Sequence, residues 1–566
     1  MPNTSMPATD KVTYESSERD DKGRDIARVC LTPTSDTREK EVLCRTLYVI
    51  PIVFLPGIMG TNLKSRGEGG RTMWRPPNND LRGTGETIGA LFTYLFKNAK
   101  DRQKDLNKDK IEVDPAGPLD HGESALSEEQ MRERGWGTIM RTCYHPMMGR
   151  LEKRLNAIMK YAKHEGWWID AARESPKEFG EQKGLAALTD AELKKAASYR
   201  YEVWAGGYNW LQSNRDSGRD IQNLIEQTIL PSCKKRNLTA RKVIVVTHSM
   251  GGLVSRALTN IHRCDKVLGV VHGVQPATGA PAAYKRMRAG FEGPSKVVLG
   301  RDAAEVTAVL ANAPGGLELL PSADYRNGQP WLKVRDGHST LESLALPTGG
   351  DPYAEIYASK AWYGLVPESS NALLDPAGVN KSNESDEIDG PRASLNEAIK
   401  KVKTFHSDIR DQYHTRTYVQ YGAQGMRSGS KGGVLGSGTF GNTNRFAWSE
   451  VAWEIKRGDA HSPIFDPRSA IVQKDGQRGT LHLADGRQLE IAPPDTPGDG
   501  TVPEPSGAAP GQAGAIASFV HGQGHAGRHN GEFGYDHQDS YNDERAIFAT
   551  LYSIVKIAQS ADWRPE

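Results

Sequence analysis

Three short stretches of the chain are apolar on both faces. LYVIPIVFL, residues 47–55, is rich in β-branched residues and stops at Pro56-Gly57; KVIVVT (Lys242–Thr247) and KVLGVVHGV (Lys266–Val274) repeat the pattern. Apolar runs of this length, bounded by turn residues, predict strands buried on both faces, as in a parallel sheet. Between the last two lies GGLVSRALTNIHR, with the apolar spacing of a helix. Strand, tight turn, helix and strand make a βαβ unit, so the fold predicted is α/β: a mostly parallel sheet flanked by helices.

The rest of the pattern divides the chain. Residues 1–45 are polar and aperiodic and read as an N-terminal arm. Residues 46–280 hold the first part of the core, interrupted at about 64–198 by a polar insertion with helix-like patches such as MMGRLEKRLNAIMKYAKHEG. Residues 281–485 read as a cap or lid, for which RMRAGFEGPSKVVLG and EVTAVLANAPGGLELL supply apolar material. Residues 486–566 return to the core and end in an amphipathic helix within HQDSYNDERAIFATLYSIVKIA. No internal repeat is present.

Composition narrows the function more by exclusion than by pointing. At 566 residues the chain exceeds what one compact core needs. Its 72 Lys and Arg balance 70 Asp and Glu, leaving no basic field for nucleic acid. A mean hydropathy of −0.59 and a longest apolar run of Leu47–Leu55, broken by Pro51, exclude a membrane-spanning helix, which needs about 20 apolar residues. The polar N-terminus lacks the apolar segment of a secretory signal. Cys30, Cys44, Cys143, Cys233 and Cys264 are odd in number and lack CxxC spacing, which fits free thiols, with room for a single pair.

Candidate chemistry gathers at the turn after the second strand. VIVVTHSMGGLVSRAL places Ser249 between a buried strand and a helix, with Gly251 and Gly252 giving room for a sharp reversal. That is the turn that lifts a nucleophilic serine above an α/β sheet. The pattern departs from GxSxG only at Thr247. Read structurally, Ser249 would be a plain helix N-cap, a role that needs neither paired glycines nor a preceding apolar strand. The helix that follows favours negative charge at its start, so the N–H of Met250 is one expected oxyanion donor. PGIMGTNL, at the end of the first strand, offers Ile58 as the second, although PG pairs also close ordinary turns.

In a fold of this kind the acid and the base follow the serine in that order. Asp499 in PGDGTVP, after the strand-like LHLADGRQLEIA, is preferred as the acid over Asp495. Among His521, His525, His529 and His537, His537 stands just ahead of the last amphipathic helix and is the expected base. No metal or other cofactor is expected, and the sequence leaves calcium open.

Together VIPIVFLPGIMGTNL, YEVWAGGYNWLQSN, VIVVTHSMGGLVSRA and GDGTVP resemble the lecithin:cholesterol acyltransferase and lysosomal phospholipase group. PGGLELLPSADY and YDHQDSYND bring the likeness closer to bacterial type VI secretion lipase effectors with a GPI-inositol-deacylase-like α/β-hydrolase domain. About half the chain carries the resemblance; residues 326–480 offer no motif to anchor it. It implies a phospholipase acting on membrane glycerophospholipids, made in the cytoplasm and delivered by a secretion machine into the target-cell periplasm. It also implies a secretion-machine component and a cognate immunity protein as partners. A carboxylesterase or acyltransferase of smaller esters is the alternative enzyme reading, and an inactive hydrolase scaffold that binds a partner is the non-enzymatic one.

Overall fold

The computed structural model describes residues 15–16, 18–19, 25–29, 40–43, 47–67, 69–76, 97–160, 163–171, 174–292, 300–336, 342–379, 390–423, 446–456, 466–522 and 535–564. At its centre are six strands: β1 (Val49–Leu55), β2 (Arg200–Ala205), β3 (Val243–His248), β4 (Val267–Gly273), β5 (Thr417–Gly422) and β6 (Ala517–His521). They are hydrogen-bonded in the order β2-β1-β3-β4-β5-β6, and every pairing is parallel. All residues of these strands are buried, in keeping with the largely apolar runs that three of them show.

Helices cover both faces. On one, α1 (Arg141–Leu155) and α2 (Glu544–Ala558) pack Tyr144, Met148, Leu151, Phe548, Leu551 and Ile554 against Ile52, Phe54, Ile244 and Val271. On the other, Leu253, Val254, Ile221 and Ile225 meet Val53, Leu55 and Val245. Strand β2 at the sheet edge is fixed by charge as well. Glu202 takes both guanidinium nitrogens of Arg236 at 2.7 Å and lies 3.2 Å from Arg134, which also grips Glu152 at 2.7 Å. Against the cost of burial, Arg134, Arg236 and Arg200 hold the Glu202 carboxyl well below the usual range.

Three expectations are corrected. Part of the N-terminal arm is folded: Glu18–Arg19, Asp25–Val29 and Lys40–Leu43 form a three-stranded antiparallel sheet, and Asp25 pairs with Arg200. The stretch 281–485 is not all cap, because β5 lies within it. That strand was hidden by its own sequence, TYVQYG, whose buried polar members bond in place: Thr417 Oγ1 donates to the His414 carbonyl at 2.7 Å and Gln420 Nε2 to Thr550 at 3.1 Å. LHLADGRQLEIA, read as strand-like residues leading to the acid, is a hairpin of Thr480–Leu483 and Gln488–Ile491 in a second sheet and not part of the central one. Leu481, Leu483 and Leu489 are buried while His482 is exposed, which marks one solvated face.

This second sheet has six strands, running Glu342–Leu346, Leu332–Asp336, Val451–Ile455, Gln488–Ile491, Thr480–Leu483 and Val472–Asp475. With the helix Gly390–Ile409 it encloses a separate core around Trp331, Trp362, Trp453, Tyr284 and Tyr357. Ile58 and Met59 pack against both this core and the central one, so the loop after β1 lies where the two meet. Cys143, Cys233 and Cys264 are buried free thiols; Cys30 and Cys44 lie outside the described residues. Among the described residues no helix is long and apolar enough to cross a membrane.

Candidate active site

The turn after β3 is strained where the chemistry would sit. Ser249 has φ +53°, a left-handed conformation that a non-glycine residue adopts only when its surroundings impose it. Those surroundings are backbone hydrogen bonds: Ser249 N–H donates to the Gly273 carbonyl at 2.9 Å, and Gly252 N–H returns to the Ser249 carbonyl at 2.9 Å. Crowding explains the glycines. A Cβ on Gly251 would stand 2.5 Å from the Leu55 carbonyl oxygen, and one on Gly252 would stand 2.5 Å from Gln275. Thr247 is tolerated in place of glycine because its hydroxyl, buried, lies 3.0 Å from His272 Nδ1 and its carbonyl accepts the Tyr541 hydroxyl at 2.9 Å.

Ser249, His537 and Asp499 converge from three parts of the chain. His537 Nε2 is 2.8 Å from Ser249 Oγ, and His537 Nδ1 is 2.8 Å from Asp499 Oδ2. The carboxylate cannot donate, so the proton of the imidazole sits on Nδ1 and the Nε2 lone pair faces the serine hydroxyl. Asp499 is 1% exposed, and its other oxygen accepts the N–H groups of Thr501 at 3.0 Å and Val502 at 2.8 Å. It lies beside the end of β5, where a Cβ on Gly422 would stand 3.0 Å from Asp499 Cβ. The His537 N–H also donates to the Asp499 carbonyl at 2.9 Å, locking the two loops together.

The other candidates go elsewhere. Asp495 accepts the N–H and hydroxyl of Ser449, each at 2.8 Å. His521 is buried in β6 between the Tyr535 hydroxyl and the Phe179 carbonyl. His525 and His529 lie outside the described residues. Among the described residues, no group of three His, Cys, Asp or Glu side chains could hold a metal ion.

The loop after β1 turns on a hydrogen bond from Gly60 N–H to the Gly57 carbonyl, with Met59 at φ +63°. Three more of its backbone groups are gripped by aromatic side chains. Tyr208 donates to the Pro56 carbonyl at 2.7 Å, Trp74 Nε1 donates to the Met59 carbonyl at 2.8 Å, and Gly57 N–H donates to the Tyr144 hydroxyl at 3.3 Å. Trp210 stacks edge-on against Trp74. Sequence reasoning missed these residues, although Tyr208 and Trp210 stand in one quoted motif, YEVWAGGYNWLQSN. A second motif is sewn to it: Glu318 of PGGLELLP accepts from Ser213 and from the N–H and Nδ2 of Asn214.

Beneath the serine turn His248 is fully buried. Its Nε2 lies 2.8 Å from the His537 carbonyl and its Nδ1 3.1 Å from the Tyr144 hydroxyl. Burial, helped by the neighbouring His537, pushes its pKa down to about 3. Burial also lowers His272 to about 3, and His145 and His406 to about 4 each. An unfolded histidine titrates near 6.5, so below that pH the unfolded chain binds protons that the folded one refuses. The stability these four contribute is present above pH ~6.5 and is lost as pH falls toward 4, by about 2 kcal/mol each at pH 5. Glu318, pushed up to about 7 by burial, acts in the opposite sense and offsets one of the four. The melting temperature should therefore fall steeply from pH 7 to pH 5; a flat profile would contradict buried neutral imidazoles.

A six-stranded parallel sheet flanked by helices, with a strained serine turn at a strand end, defines an α/β hydrolase. No protein-family model matches the chain, and neither does any curated protein sequence. Among solved structures, a chain in "The crystal structure of Tle4-Tli4 complex" is 40% identical to it, with a TM-score of 0.80, over 91% of this chain and 99% of that one. The chain belongs to the Tle4 family of type VI secretion lipase effectors.

Proposed function

We propose that the protein is a serine lipase that cleaves acyl esters of membrane glycerophospholipids through Ser249, His537 and Asp499. The observation that carries this reading is the relay of two 2.8 Å hydrogen bonds from Ser249 Oγ to His537 Nε2 and from His537 Nδ1 to Asp499 Oδ2. As Ser249 Oγ attacks the ester carbonyl, His537 Nε2 takes its proton, and Asp499 stabilises the imidazolium that forms. Collapse of the tetrahedral intermediate returns that proton to the departing alcohol and leaves an acyl-serine. A water molecule, deprotonated in turn by His537, attacks the acyl-serine, and His537 passes that proton to Ser249 Oγ as the fatty acid leaves. The N–H groups of Met250 and Ile58 hold the oxyanion in both tetrahedral states. Apart from that water, the groups that act in this scheme all belong to the protein.

Family membership extends the proposal to biology. The lipase acts as an antibacterial effector, passed by a secretion machine into the periplasm of a target cell, and a cognate immunity protein shields the producer. Tle4 was crystallised as a complex with Tli4, and this chain is proposed to have a partner of the same kind.

The test of substrate class compares phospholipid vesicles with short-chain soluble esters, scored as product released per enzyme. Faster turnover on vesicles is expected. Preference for monomeric short esters would replace the lipase with the carboxylesterase or acyltransferase reading.

A further inference from the structure

Proton positions around Tyr144 follow from the chemistry of its neighbours. The His537 carbonyl can only accept, so His248 Nε2, at 2.8 Å, carries the proton of that neutral ring. His248 Nδ1 is then a lone pair, and the Tyr144 hydroxyl at 3.1 Å must donate to it. With its proton committed, the Tyr144 oxygen accepts from Gly57 N–H at 3.3 Å and from Gln538 Nε2 at 3.3 Å. One buried hydroxyl thus touches the loop after β1, the serine turn and the residue that follows His537.

We propose that Tyr144 is a positioning residue whose hydroxyl ties the Ile58 loop to the His537 loop through His248, fixing the spacing between oxyanion donor and general base. The inference rests on the roles given above to Ile58 and His537. Two further observations support it. Three groups around Ile58 are held by aromatic side chains, the Pro56 carbonyl by Tyr208, Gly57 N–H by Tyr144 and the Met59 carbonyl by Trp74, and of these three Tyr144 also reaches the His537 loop. Loop and ring are also in close contact, for a Cβ on Gly57 would come 2.9 Å from His248 Nδ1. Misplacing a donor or base by a fraction of an ångström lowers the rate without weakening ground-state binding.

The test is Tyr144→Phe, which keeps the ring packed 4.9 Å from Phe54. Enzyme is counted by fluorophosphonate titration, and turnover of a soluble ester is measured per titrated site. The expected result is a fall in kcat of about 10- to 100-fold with KM within about 2-fold of wild type. Gln538→Met, which leaves the tyrosine in place, should cost about 3-fold alone and nothing further in the Tyr144→Phe background. Normal kcat per titrated site overturns the inference, including the case where fewer sites titrate but those remaining turn over normally, since that marks a purely structural tyrosine. Additive losses in the double variant overturn it too. A wild-type protein that the probe does not titrate overturns the assignment of Ser249 and this inference with it, whereas a titrated wild type with an unaffected Tyr144→Phe overturns this inference alone.

Discussion

Ser249→Ala should remove ester hydrolysis, lowering kcat by about 10⁴- to 10⁶-fold, while the protein stays folded. In the proposed mechanism activity depends on Oγ, which is the atom facing His537 Nε2. The fold depends on the backbone of the same residue: its N–H on Gly273 and its carbonyl on Gly252 keep the turn closed whatever the side chain. The two properties should therefore separate. Fatty acid release from phospholipid vesicles, measured alongside the melting temperature, checks this. Residual activity above about one part in 10³ would assign the nucleophile elsewhere.

Asp499→Asn should cost nearly as much, for a reason visible in how the carboxylate is held. Thr501 and Val502 N–H groups both donate to Oδ1. In the asparagine variant these donors select the amide oxygen, and the NH₂ group is left facing His537 Nδ1. An NH₂ there forces Nδ1 to accept, so the imidazole proton moves to Nε2 and points at Ser249. The base then has no lone pair for the serine proton, and kcat should fall about 10⁴-fold with little change in melting temperature. His537→Ala should fall to a similar level, since serine, base and acid act as a unit. A loss of under 10-fold in either variant would sink the relay.

The central strands were legible where burial on both faces left a run of apolar residues, as in VIPIVFL and the VIVV of VIVVTH. Ser249 was legible for a related reason: a buried strand, two glycines and a helix together are needed only where the chain reverses under strain. Strand β5 escaped because its buried Thr417 and Gln420 make it look like surface, and the Thr550 hydroxyl that takes the Gln420 amide is 130 residues away. Asp499 was singled out by chain order and its turn, yet the strand-like stretch placed before it belongs to the other sheet. Its true neighbour, Gly422, is 77 residues upstream. Tyr144 sits in an ordinary amphipathic helix, 104 residues from His248, and no local pattern distinguishes it from core. Side chains whose role is to hold other groups are defined by what they meet in space, and that is fixed by packing.

The serine relay is tested most directly by the site of covalent modification. Purified protein is treated with a fluorophosphonate, digested, and the modified peptide sequenced by mass spectrometry. A single adduct on Ser249 is predicted, absent from Ser249→Ala and formed far more slowly in Asp499→Asn. A folded protein that takes no label, or takes it on another residue, would contradict the account.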